Sequence, residues 1–285
     1  MIIESISVKG SNEWNEDALI CNEKANIYGV VDGATSLVPY RSKDGETGGR
    51  RASQIVKKYF ERISISENTR SLEELMIGAN DELGMEMEKE KIDISKNENV
   101  WTTGAAVIRI RAHHIEFVQA GDCMITALYS DGTYRVITRD QIAYFDNNTK
   151  KEWVKAVKDG LRTQKEIRNR VEPLIKEQKS KMNTIDGYSV LDGSIEANLF
   201  LESGKINRIN LTGLIICSDG LFIHDEIDSS VKYDPMDELV KKISLLGLEG
   251  FIHYLNAIEE KDPECLRFPR TKKSDDKTGI YLQFT

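Results

Sequence analysis

No stretch of this chain holds 18 consecutive apolar residues, so nothing in it has the length of a membrane-crossing helix. The opening "MIIESISVKG" has no basic flank leading into a long apolar core, so no signal peptide is expected, and a cytoplasmic location is. Cysteine is scarce: Cys21, Cys123, Cys217 and Cys265 lie far apart with no C-x-x-C spacing. Neither a zinc site nor a disulfide framework fits that pattern. Three of the four sit in apolar, strand-like runs, where cysteine behaves as a small hydrophobe. Positive charge is also short, with 39 Lys and Arg against 47 Asp and Glu and a net charge of -8. That balance argues against nucleic acid or an anionic membrane as the main partner. A small phosphorylated group stays compatible, because a few metal ions can reverse the field locally. No Pro/Gly/Ser-rich linker divides the chain, and no internal repeat is visible.

What is present is an ordinary globular composition, 40% hydrophobic and 30% charged over 285 residues, enough for a substantial core. Short β-like runs open the chain: "ESISVKG", "DALICNE" and "NIYGVVDG". Two amphipathic helices follow. The first places Ala52, Ile55, Val56, Tyr59 and Phe60 on one stripe; the second starts at Ser71 with Glu74 three residues on, a capping-box spacing. Strands resume with "TTGAAVIRIRA" and "HIEFVQAGDC", then "MITALYSDGTYRVIT", a hairpin about Asp131-Gly132 whose Asp-Gly is turn chemistry. From about 139 to 183 the composition becomes polar, charged and helical, which predicts a surface insertion or lid whose charges face solvent. "LTGLIICSDGLF" resumes the sheet, two helical segments follow, and "KTGIYLQF" closes as a strand. The order predicts a single α+β domain over 1–285, with two antiparallel sheets packed together and helices outside.

Acidic residues recur where apolar strands begin or end: Glu16 and Asp17 before "ALI", Asp32 after "YGVV", Asp122 after "FVQAG", Asp219 after "LIICS", and Asp275 and Asp276 before "TGIYL". Singly, each is explained as a turn or cap residue, since Asp-Gly is a common turn signal. Strand ends on neighbouring strands can converge, however, and two unit charges about 4 Å apart repel by about 4 kcal/mol at an effective dielectric of 20. A convergent set would need cations, and all-oxygen donors select hard ions such as Mg²⁺, Mn²⁺ or Ca²⁺.

The segments "NEDALI", "VVDGATS", "GGRRAS", "TTGAAVI", "AGDC", "CSDGLF" and "SDDKTGIYL", in that order, resemble the successive motifs of the metal-dependent protein phosphatase family (PPM, type 2C serine/threonine phosphatases) over residues 8 to 284. The resemblance implies a four-layer α-β-β-α sandwich, two Mn²⁺ or Mg²⁺ ions, and hydrolysis of phosphoserine or phosphothreonine in proteins by a metal-activated water. Position by position, it implies that Asp32 bridges the two ions, that Gly33 offers its backbone carbonyl and that Glu16 helps hold the second ion. Asp219 and Asp275 would complete the shell of the first, and Asp122 would match a third, weaker site. Asp32 and Asp219 are the residues expected to be essential for catalysis, and Asp276, where the family has Asn, is expected to support rather than ligate.

The chain departs from the family at two places. Asn12 stands where many members have a phosphate-gripping Arg, and Ala34 where many eukaryotic members have a His. The long loop "ATSLVPYRSKDGET" holds Arg41 and Lys43, which either replace the missing Arg or are solvated loop charges. Of the four histidines only His224 lies near the expected site, in a supporting or surface role. Three functions remain open: a phosphoprotein phosphatase acting as a monomer, a non-catalytic module of the same fold that binds a partner or phosphopeptide, and a phosphatase of small phosphorylated molecules.

Overall fold

The computed structural model describes residues 1–227 and 234–284. Among the described residues, ten strands form two antiparallel sheets. One carries β1 (Ile2–Val8), β6 (Met124–Tyr129), β7 (Tyr134–Val136), β9 (Leu211–Cys217) and β10 (Lys277–Gln283), in the spatial order β1-β10-β9-β6-β7. The other runs β2-β3-β4-β5-β8, from β2 (Ala18–Asn22), β3 (Ile27–Ala34), β4 (Thr102–Ile110), β5 (His114–Ala120) and β8 (Glu202–Asn207). The centre of the second sheet is apolar at successive positions, Val30-Val31 and Ala105 to Ile108, because both its faces are covered. Tyr28, Val30, Ala106 and Ile108 pack inward on Ile125, Leu214, Ile216 and Ile280 of the first sheet. The outer face, with Ile20, Ile27, Val31 and Val107, takes α1 (Gly48–Glu61) and α2 (Leu72–Lys89). On the far side, Ile215 and Cys217 pack against α5 (Pro235–Glu260), which breaks at Gly247, where φ is +69°. The four layers are therefore helix, sheet, sheet, helix, as the order of elements predicted.

Register brings the strand ends together. Val31 pairs with both Ala18 and Ala105, and Ala105 pairs with Ala120, so the start of β2, the end of β3 and the end of β5 share one edge. Cys217 pairs with both Met124 and Gly279, so the end of β9, the start of β6 and the start of β10 share one edge of the other sheet. These two edges carry the acidic residues singled out in the sequence. The polar segment folds into α3 (Ala143–Lys158) and α4 (Gln164–Lys179), the second opened by a Thr163–Glu166 capping box. Trp153 Nε1 donates to the Cys265 carbonyl at 2.8 Å, and Gln164 Nε2 to that of Thr271 at 2.7 Å. The pair of helices is thus fastened to the loop that leads into β10. Among the described residues, no helix is long and apolar enough to cross a membrane.

Asp262 organises that loop. Its buried carboxylate accepts the N–H groups of Leu266, Arg267 and Phe268 and pairs with the buried Arg270 at 2.9 Å. Burial alone would raise its pKa, but these backbone donors and Arg270 hold it below the usual carboxylate value. Its stabilising contribution is therefore present above the unfolded pKa of about 3.9 and lost as pH falls through the lower folded value. Asp262→Ala strands a buried guanidinium, and the expected loss in a urea titration at neutral pH is about 3–5 kcal/mol. Arg267→Ala, which removes only an exposed pair with Glu226 and a stacking contact on Phe268, should cost about 1 kcal/mol at most. Equal losses would show that Asp262 has no organising role.

Candidate active site

At the shared edge each carboxylate is held by local structure. The backbone of Asp32, at the end of β3, is pinned by Thr103 Oγ1, which donates to its carbonyl at 2.6 Å. Gly33 follows where a Cβ would lie 2.3 Å from the Gly49 carbonyl oxygen and 2.5 Å from that of Glu16, so only glycine fits. Glu16 is buried and accepts from Thr35 Oγ1 at 2.7 Å and from Thr47 Oγ1; Thr47 also caps α1. Asp276 accepts the N–H groups of Gly10 and Glu16, each at 2.7 Å. Asp219 opens a single 3-10 turn after β9, and Asp275 precedes β10. Asp122 follows Gly121, whose φ of +83° makes the sharp turn between β5 and β6.

Asp32, Asp122, Asp219 and Asp275 line one cavity of about 220 Å³, to which Glu16 is joined through Thr35. Asp17, one residue beyond the predicted Glu16, also belongs to the group; its carboxylate accepts from Ser218 Oγ at 2.8 Å. Burial pushes Asp17 up to about 8, with Asp275 and Asp219 adding to it. Burial also raises Asp32 far above a normal carboxylate, reinforced by Asp17, Asp219, Asp122 and Asp275. Asp122 is raised likewise by burial and by Asp219, and Asp219 by burial and Asp275, against the opposing Lys272. Interaction with the Asp32 side chain also opposes the rise in Asp219, and two neighbouring anions attract each other only with a proton or cation between them.

The helical pair roofs this cavity. From α3 comes Asp146, raised to about 7 by burial and by Asp219; from α4 come Arg168 and Lys179. Lys272, from the loop before β10, donates to Asp275 Oδ1 at 2.6 Å. Burial works against its charge, but Asp275, Asp219 and Asp32 keep it protonated well above the ordinary lysine range. Glu16, Asp17, Asp32, Asp122, Asp146, Asp219 and Asp275 still outnumber Lys150, Lys179, Lys272, Arg168 and Arg270 among the described residues, and Arg270 is already paired with Asp262. Arg41 lies elsewhere: it pairs with Glu13 at 3.3 Å on a side groove with Asn12, Trp14 and Glu16, which meets the cavity at Thr35. His224 pairs with the buried Glu259 at 2.9 Å, and Asp131 is an exposed turn residue accepting from Thr133.

The donor set fits hard divalent cations. The nearest ligand atoms of Asp32, Asp122 and Cys123 lie within 4.8 Å of one another, and the excess of buried negative charge is what such ions would neutralise. The Cys123 thiol is held far above its normal pKa by burial and by Asp32 and Asp122, so it offers no thiolate.

A family model for protein phosphatase 2C matches residues 7–249. A comparison with curated protein sequences finds no significant match. Among solved structures, the chain is similar to the serine/threonine phosphatase PstP of Mycobacterium tuberculosis, with a TM-score of 0.58 and 18% identity over 99% of this chain and 98% of that one. It is also similar to the catalytic domain of PstP in complex with two manganese ions, with a TM-score of 0.56 and 16% identity over 99% and 97% of the two chains. PppA of Pseudomonas aeruginosa gives a TM-score of 0.55 and 16% identity over 99% of this chain and 96% of that chain. With the family model covering most of its length and the α-β-β-α fold shared throughout, the chain belongs to the protein phosphatase 2C family of phosphoprotein phosphatases.

Proposed function

We propose that this chain hydrolyses phosphoserine and phosphothreonine in proteins using two Mn²⁺ or Mg²⁺ ions, with a third, weaker site beside Asp122. The observation that carries the reading is the gathering of Asp17, Asp32, Asp122 and Asp219 from different strand ends, all raised by burial and by one another. Asp32, Asp219 and Asp275 would hold the ions, with Glu16 and the Gly33 carbonyl completing the set. Two such ions supply Lewis acidity, a lowered pKa for coordinated water and neutralisation of the phosphoryl charge. The protein's own groups do the rest: Asp276 and Thr103 fix the backbones on which Glu16 and Asp32 sit, and the roof of α3 and α4 limits access of bulk water. Lys272, already among the carboxylates, is the observation favouring a non-catalytic binding module. The cations around the cavity remain fewer than its carboxylates, which is why the hydrolytic reading is preferred.

Three outcomes test this. Calorimetric titration should show Mn²⁺ binding that Asp219→Asn weakens, with activity on an aryl phosphate falling at least about a hundredfold. Asp131→Asn should leave both unchanged, because Asn-Gly serves the same turn. Equal behaviour of the two variants would contradict the metal site. Exhaustive chelation should abolish hydrolysis while thiol alkylation leaves it intact; full activity without metal would sink the reading. Arg41, on the adjoining groove, is proposed to meet substrate outside the phosphoryl group. Arg41→Ala should then raise KM for a phosphothreonine peptide more than for an aryl phosphate, and equal changes would deny it that role.

A further inference from the structure

Two residues of the cavity wall concern anions rather than cations. Arg168 is half-buried on α4 and lines the cavity opposite the strand-end carboxylates. Its Nη1 is fully buried and has no hydrogen-bond partner among the described residues. Glu172, one turn further along α4, is engaged with Lys176 at 2.7 Å instead. A buried, charged donor without a partner is costly, so it marks a place where an acceptor belongs.

Lys179, three turns along the same helix, also faces the cavity, and its Nζ donates to the Thr35 carbonyl at 2.5 Å. Burial pulls its pKa down to about 8, with Glu16 opposing and the neighbouring charges of Lys272 and Arg168 pressing it lower. The cations of the roof are thus close enough to repel one another as well as to face the carboxylates below. An object that satisfies both sides is a tetrahedral dianion seated between them. It would offer some oxygens to the roof and leave others for the cations that the carboxylates hold. Arginine suits this task because its planar fork meets two phosphate oxygens at once.

We propose that Arg168 and Lys179 of α4 form the phosphate-gripping pair of this protein, so that the helical insertion supplies the recognition of the phosphoryl group of a phosphomonoester. The proposal rests on the phosphatase reading for its substrate class but not for its binding test. The pair acts on bound phosphate, whereas Arg41 stands on a different groove, tied to Glu13. Because both residues lie on one helix, fastened through Gln164 to the loop that carries Lys272 and Asp275, the grip and the carboxylate cluster keep a fixed relation.

The test is calorimetric binding of inorganic phosphate to the Mn²⁺-loaded full chain, alongside steady-state hydrolysis of para-nitrophenyl phosphate. Arg168→Met should raise both the phosphate Kd and KM about tenfold to a hundredfold, the scale of a lost charge-assisted hydrogen bond. Lys179→Met should shift them in the same direction and Arg168→Lys less than Arg168→Met, while Lys241→Ala on α5 changes nothing. Mn²⁺ affinity and Tm, measured on the same samples, should stay at wild-type values and so exclude misfolding. If the wild type hydrolyses the ester and both Met variants keep its phosphate Kd and KM, the pair does not grip phosphate and the phosphatase reading stands. If the wild type binds phosphate in an Arg168-dependent way without hydrolysis, the pair is confirmed and the hydrolytic reading fails.

Discussion

Everything at the functional edge of this molecule answers to one constraint, the mutual repulsion of carboxylates withdrawn from water. At an effective dielectric of 20, each pair about 4 Å apart repels by about 4 kcal/mol, and burial adds a further penalty to every charge. Left alone, such a group would take up protons, which is the direction in which Asp17, Asp32, Asp122 and Asp219 are displaced. A protein keeps such an arrangement only if its backbone is over-determined at those points. Here the fixing is explicit: Thr103 on the Asp32 carbonyl, Ser218 on Asp17, Thr35 and Thr47 on Glu16, and Asp276 on two backbone N–H groups. Without a cation, that repulsion is relieved by protons.

The sheet architecture makes the gathering possible without any long-range design of loops. Antiparallel register puts the ends of β3, β5 and β9 and the starts of β2, β6 and β10 along one rim of the sandwich. The loop from Lys261 to Asp276 then does two jobs. It brings Lys272 and Asp275 to the rim, and through Thr271 and Cys265 it anchors the helices that close over it. Asp262 and Arg270 brace its interior, with Arg270 bonded to the Asp262 carboxylate and the Glu259 carbonyl.

Much of this could be read in the sequence, for identifiable reasons. Asp32 and Asp219 each end an apolar run and precede glycine, so periodicity and turn chemistry both point to a strand end. The capping box at Ser71 and the hairpin at Asp131 are local signals, and both are present as read. Strand β8 escaped because "ESGKIN" is a polar edge strand with only Ile206 buried, and it shows no alternation. Asp17 escaped assignment because its neighbour Glu16 filled the expected role, and only folding shows that Ser218 bonds it. Arg168 and Lys179 sit in a helix rich in charge, where sequence alone predicts solvated side chains. Which of those side chains turns inward depends on how α4 docks, and that is set by Trp153, Gln164 and Gln178 contacts distant in sequence. Ser218, Thr35 and Thr47 carry no signal of their own, since small hydroxyl residues are equally at home in turns and caps.

The central claim is that the rim is a cation site rather than a set of protonated acids shielded by Lys272. Anomalous diffraction at the manganese edge, from crystals of the full chain grown with Mn²⁺, addresses it directly. The account predicts two strong anomalous peaks flanking the Asp32 carboxylate, within ligand distance of Asp219, Asp275 or Glu16, with the Lys272 ammonium displaced from between them. Crystals that show no anomalous density at this rim, with Lys272 still seated on Asp275, would contradict it.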